Sequence, residues 1–98
     1  MSRRLVIRPE AVDEIDEAAA WYELRRRGLA RDFIDAVDAG IRSVHEHPFR
    51  HPVVFDRARH RVLAVFPYSI IFFITNDEVV ILSCFHDRRN PIEWQSRL

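Results

Sequence analysis

The segment Ser69 to Phe85, SIIFFITNDEVVILSCF, carries the strongest structural signal in this 98-residue chain. Two runs of apolar, largely β-branched or aromatic residues, Ser69 to Thr75 and Glu78 to Phe85, are separated only by Asn76-Asp77. Such runs favour strands, and Asn-Asp between them predicts a hairpin. Ile70 to Ile74 is apolar on both faces, where a strand with one wet face would alternate. Both faces are therefore expected to be covered. A pair of helices can cover one. The loop, the C-terminal tail or a second protein can cover the other.

Working back from this hairpin, Arg61 to Phe66 reads as a third strand, separated from Ser69 by Pro67-Tyr68. Residues 47 to 60 carry His and Pro without periodicity and read as a loop, with a short extended piece at Val53-Val54-Phe55. Before the loop, Ala30, Ile34, Val37, Ile41 and Val44 form one apolar stripe at helical spacing, backed by Phe33. That helix runs from about Leu29 to Glu46, and Pro48 ends it. Gly40 lies inside it, at a cost of roughly 1 kcal/mol relative to Ala. A close contact with the alanines of a neighbouring helix is one explanation, and a tolerated weak spot is the other.

The neighbouring helix starts at Pro9, whose missing N–H costs nothing at a first helical position. Ala11, Ile15, Ala18 and Tyr22 mark its stripe. Asp13, Glu14, Asp16 and Glu17 crowd its first turns and Arg25-Arg26-Arg27 its end, both matching the helix dipole. Gly28 reads as its C-cap, and the short connection makes the two helices an antiparallel hairpin. Leu5-Val6-Ile7 is a short strand in front. The fold class is α+β: an N-terminal strand, an antiparallel two-helix hairpin, then a three-stranded antiparallel sheet with the helices on one face. No repeat or linker divides it, so residues 1–98 read as a single domain.

Composition narrows the function. Acids and bases balance at 15 each, which argues against a nucleic-acid coat protein. All the bases are Arg. That is either codon usage or a use of the bidentate contacts Lys cannot make. Residues 57–98 hold 6 Arg and 4 acids, so the second half is mildly positive. The lone Cys84 excludes an internal disulfide and favours a cytoplasmic setting. Met1-Ser2-Arg3-Arg4-Leu5 leads into no long apolar run, so it does not read as a signal peptide. No run is long enough to span a membrane.

The chemistry-bearing residues fall in two groups. His45, His47 and His51 are dense, but His-x-His at a helix end points to opposite sides and lacks a third ligand, so no metal is expected. The second group follows the last strand abruptly: His86-Asp87-Arg88-Arg89-Asn90-Pro91, with Trp94 as an anchor. Together with His60, Arg61 and Tyr68 it could act in two ways. A His could serve as general acid or base while the Arg groups hold a phosphate. Alternatively, the same groups pair with carboxylates of a partner.

At this point the chain resembles the RelE/ParE superfamily of bacterial toxins, the toxin halves of type II toxin–antitoxin modules. The resemblance rests on the element order and on three stretches. These are Pro9-Glu10-Ala11 reaching Trp21-Tyr22, then Arg61 to Ile70, and then Val79-Val80-Ile81-Leu82 leading to His86–Pro91 and Trp94. The resemblance implies a growth-inhibiting protein neutralised by a small, ParD-like antitoxin whose C-terminal segment covers the open sheet face. RelE-like members cleave mRNA on the ribosome, and ParE-like members inhibit DNA gyrase without being nucleases. Phe66-Pro67-Tyr68 and His86–Pro91 look more like ParE, and the chain lacks the Lys and C-terminal Tyr common in the nucleases. The expectation is therefore a ParE-like inhibitor, with no cofactor, no membrane association and no direct DNA binding by the toxin alone. Its target- or antitoxin-binding residues are taken as Arg61, Tyr68, Phe72, His86, Arg88, Arg89 and Trp94. The alternative, a metal-independent endoribonuclease, would use Arg61, His86 and Arg88.

Overall fold

A computed structural model describes residues 3–98; Met1 and Ser2, the start of the stretch read above as lacking a signal peptide, lie outside it. The elements run β1 (Arg4–Ile7), α1 (Pro9–Arg25), α2 (Leu29–Glu46), a 3-10 turn (Pro48–Arg50), β2 (Val53–Phe55), β3 (Ala58–Val62), β4 (Tyr68–Ile74), β5 (Glu78–His86) and α3 (Ile92–Gln95). The strands form one sheet in the order β1-β5-β4-β3-β2. β1 runs parallel to β5, and the other pairs are antiparallel. The α+β class stands, with the helix hairpin on one sheet face. No helix among the described residues is long and apolar enough to cross a membrane.

Four details differ from the sequence reading. First, the sheet has five strands, because Leu5-Val6-Ile7 joins it beside β5 and Val53–Phe55 forms a hairpin with β3. Asp56 makes that turn at φ 51°, in the left-handed region Asp tolerates. Second, β3 covers Ala58–Val62 rather than Arg61 to Phe66. The apolar residues after Val62 leave the sheet because Phe66 is drawn under the helices, 4.9 Å from Tyr22 and 5.2 Å from Phe33. Val65 turns the chain at φ 72°. Third, α1 ends at Arg25, and Gly28 instead opens α2 at φ 87°. Fourth, Gly40 faces the sheet and not the first helix. A methyl group there would come within 2.9 Å of Leu63 Cδ2 and 3.6 Å of Ile70.

Both faces of the central strands β4 and β5 are buried, as their apolar sequence requires. On the helix side Ile70, Phe72, Val79, Ile81 and Cys84 pack with Phe33, Val37 and Val44. On the other side Ile71, Phe73, Val80, Leu82 and Phe85 pack with Ala58 and Trp94, which α3 brings back from the tail. Arg57 lies 4.0 Å from the centroid of Phe73 and covers part of the same face. The chain's own tail thus supplies cover that the sequence left open between a tail and a partner.

One irregularity positions the site. Ile71 pairs with Ser83 while Phe72 pairs with Ile81, so Leu82 is an extra residue on β5. A bulge of this kind inverts the alternation beyond it. It moves Cys84 to the helix side and Phe85 to the tail side.

The outer edge of β5 is also unusual. β1 stops opposite Ile81, and no strand continues beyond it. Glu14 from α1 takes over, accepting from Cys84 N–H at 3.2 Å and Ser83 Oγ at 2.7 Å. Arg97 donates to both Glu14 oxygens, at 3.2 and 3.1 Å, and to the Leu82 carbonyl at 3.4 Å. An ion pair replaces the missing strand and satisfies backbone groups that would otherwise be orphaned.

Candidate functional site

Tyr68 opens β4 and His86 closes β5, and the two are direct partners across the ladder. Their rings meet edge-on with centroids 5.0 Å apart. The bulge at Leu82 aims His86 towards α1, so these residues floor a cleft of about 460 Å³ between the sheet end and the helix. Glu14, Glu17, Ala18, Trp21 and Tyr22 form the α1 wall; Pro67, Cys84 and Arg89 complete it. Glu14, Glu17/Ala18 and Trp21 recur at helical spacing, which places them on one face. The wall is stiffened from behind: Tyr22 and Tyr68 both pack against Phe33, at 5.2 and 5.3 Å between centroids. The floor is fixed by Asp87 N–H donating to the Pro67 carbonyl at 2.9 Å.

Hydrogen bonds and burial constrain the polar groups of the cleft. His86 Nδ1 accepts the Arg88 backbone N–H at 3.1 Å, which assigns the proton of a neutral ring to Nε2. Burial raises the Tyr68 phenol, with Tyr22 adding to the shift and Arg89 opposing it. Burial likewise raises Tyr22. Both phenols therefore stay protonated at neutral pH. The Cys84 thiol is pushed up to about 12, first by burial and then by Glu14 and Asp87, so it is not a thiolate. Glu14 is fully engaged with Ser83, Cys84 and Arg97. The cleft offers aromatic walls, phenol and imidazole donors, the Arg89 guanidinium and the Glu17 carboxylate. That set suits recognition of a polar or charged protein segment.

A smaller hollow of about 140 Å³ lies on the opposite sheet face, lined by His60, Ser69, Ile71, Phe85, Asp87, Arg89, Pro91 and Trp94. Ser69 Oγ donates to Asp87 Oδ1 at 2.7 Å within it. Arg89 borders both hollows from the turn after β5.

The structure thus gathers Tyr68, His86 and Arg89 and disperses the rest. Arg88 is exposed in the turn beside them. Arg61 sits on β3, paired with Ile70, and its stem lies near Gly40. β4 stands between it and His86, because β3 and β5 are not neighbours in the sheet. Phe72 is fully buried and Trp94 only 4% exposed. Both are core residues: Phe72 has no surface to offer a partner, and Trp94 shows only the edge that lines the smaller hollow, so neither belongs to the cleft. The histidines diverge as well: His45 bonds the Arg3 carbonyl and His51 reaches Ser43. Sequence reasoning missed Glu14 and Glu17, treated only as dipole partners, although their spacing to Trp21 marked a common face.

The family described as ParE toxin of type II toxin–antitoxin system, parDE, matches the chain over residues 5–91. Among solved structures, a chain of the chromosomal ParDE toxin–antitoxin system from P. aeruginosa is similar in fold, with a TM-score of 0.78 at 16% identity. The match covers 87% of this chain and 96% of that one. No curated protein matches in sequence.

Proposed function

Because the chain belongs to the ParE toxin family of type II toxin–antitoxin systems, we propose that it arrests growth by binding DNA gyrase in the cytoplasm and is neutralised by a cognate, ParD-like antitoxin. The observation that carries the binding reading is the state of the α1–β5 cleft. Its thiol is protonated, its buried carboxylate is engaged and its phenols are neutral. No side chain there is activated as a covalent nucleophile. Tyr68, Tyr22 and Cys84 all titrate above their ordinary values, so none of the three is poised near neutral pH to pair with His86 in acid–base chemistry. Tyr68 and His86 instead present a phenol and an imidazole from the packed floor of the cleft, with the Arg89 guanidinium beside them, the character of an interface anchor.

The alternative, an endoribonuclease built on Arg61, His86 and Arg88, is disfavoured by the separation of Arg61 from His86 across β4. The test uses purified toxin in two assays, gyrase supercoiling and translation-coupled mRNA cleavage. Inhibition of supercoiling at micromolar toxin, relieved by the antitoxin encoded beside it, supports the proposal. Arg89→Ala is expected to weaken that inhibition about tenfold, the effect of losing one interface anchor. Untouched supercoiling together with cleaved mRNA overturns it.

A further inference from the structure

The neutral net charge hides a strong asymmetry. Residues 9–25 carry six acids and one Arg, whereas residues 42–61 carry five Arg, two acids and four of the five histidines. The basic segment folds around the 3-10 turn Pro48–Arg50 at the end of α2, remote from the cleft. At its centre Phe49 is 61% exposed. Two guanidiniums, Arg3 and Arg59, each lie 5.3 Å from its ring centroid.

Both guanidiniums are fixed by the backbone and not by acids. Arg3 Nε donates to the Thr75 carbonyl and Arg59 Nη1 to the His51 carbonyl, each at 2.7 Å. Arg50 follows Phe49 in the same turn. Among the described residues the ion pairs involve Arg4, Arg26, Arg31 and Arg97, so Arg3, Arg50 and Arg59 have no carboxylate partner. Carbonyl anchors leave the remaining N–H groups of each fork free and pre-oriented, which lowers the ordering cost of taking up an oxyanion. An exposed aromatic ring among such forks adds a surface on which a base can stack.

We propose that this face binds single-stranded nucleic acid, with a base stacked at Phe49 and the adjoining phosphodiesters held by Arg3, Arg50 and Arg59. The reading goes beyond gyrase binding and does not depend on it. It also differs from the expectation of no direct DNA binding, which followed from the resemblance to ParE-like inhibitors.

The test is fluorescence polarisation of the full chain with labelled oligo-dT and oligo-U of twelve nucleotides, and with a polyglutamate peptide of equal charge. Three phosphate contacts on a single strand give a log–log salt slope of about −2. Affinity for at least one oligonucleotide should then fall roughly 20-fold between 50 and 200 mM salt. Arg50→Ala should reduce the slope by about 0.7. Phe49→Ala should weaken binding about tenfold with the slope unchanged. Both side chains are exposed, and circular dichroism checks that the variants fold. The two oligonucleotide arms separate DNA from RNA. Absence of oligonucleotide binding at 100 μM protein and 50 mM salt overturns the proposal. So does parental binding by both folded variants. Polyglutamate binding as tightly as the oligonucleotides overturns it in favour of an acidic protein partner.

Discussion

Three side chains make demands that their neighbours in sequence do not announce. Glu14 sits among acids at the start of α1 and reads as a dipole partner, yet its ligands lie on β5 and at Arg97. The pair is mostly buried, with side chains 14% and 21% exposed. Removing one partner of a fully buried pair costs about 3–5 kcal/mol. Partial exposure lowers that for Glu14→Ala to about 2–4 kcal/mol, read as a shift in urea midpoint at unchanged slope. Cys84 is expected to resist thiol reagents at pH 8 in the native protein and to react once it is unfolded, since its folded value is about 12. Fast labelling of native protein would show the cleft to be more open or more polar than described. His51 is only 7% exposed, and its protonation is disfavoured by burial and then by Arg61, Arg50 and His60, against support from Ser43. Its folded pKa therefore lies below the ordinary value of about 6.5. Above that pH the ring is neutral in both states and contributes no slope. As pH falls below it, the unfolded chain takes up a proton that the fold refuses, so stability declines until the folded pKa is reached. Urea midpoints at pH 7.5 and 5.5 should differ less in His51→Gln than in the parent.

At the level of elements, the two helices were legible to within a residue or two, because a 3.6-residue stripe bounded by Pro9 and Pro48 is hard to misread. The strand hairpin Ser69–Phe85 was legible for the same kind of reason. What the sequence did not reveal was the bulge at Leu82. Every residue from Val79 to Phe85 is buried, so no polar face marks where the alternation inverts. The bulge nonetheless decides which way His86 points, and with it the composition of the cleft. Arg61 to Phe66 was misread because loop residue Phe66 is as apolar as a strand residue when it plugs the gap beneath the helices. Gly40 was correctly singled out, but its neighbour is the sheet and its contact is the tip of a flexible side chain, Leu63 Cδ2. Gly40→Ala should consequently be close to neutral. The gain of about 1 kcal/mol in helix propensity is offset by displacing the buried Leu63. Gly40→Val adds bulk that cannot be accommodated and should destabilise by about 1–3 kcal/mol. Thermal melts of the two variants test this. Equal, large losses in both would place backbone, and not Leu63, against Gly40.

For the molecule as a whole, the question is whether the fold is complete in a single chain. A sheet apolar on both faces needs two covers, and a toxin that depended on its antitoxin for the second would be unstable alone. Here the tail returns across that face. Trp94 is buried in one cluster with Phe85, Leu82 and Phe73, and meets Phe55 edge-on at 6.0 Å between centroids. Arg97 anchors the same tail to Glu14 on α1. A Trp buried to this degree is worth about 3–5 kcal/mol against Ala when its cavity cannot collapse. A small domain has a total stability of the order of 5–15 kcal/mol. Trp94→Ala should therefore bring the isolated chain close to its unfolding threshold and expose the second face. The expected readout is a large drop in melting temperature with new binding of a hydrophobic dye. If the face were instead completed by a partner, the isolated parent would already bind the dye and the substitution would change little. An isolated parent that binds no dye, beside a Trp94→Ala variant that does, locates the second cover in the chain's own last seven residues.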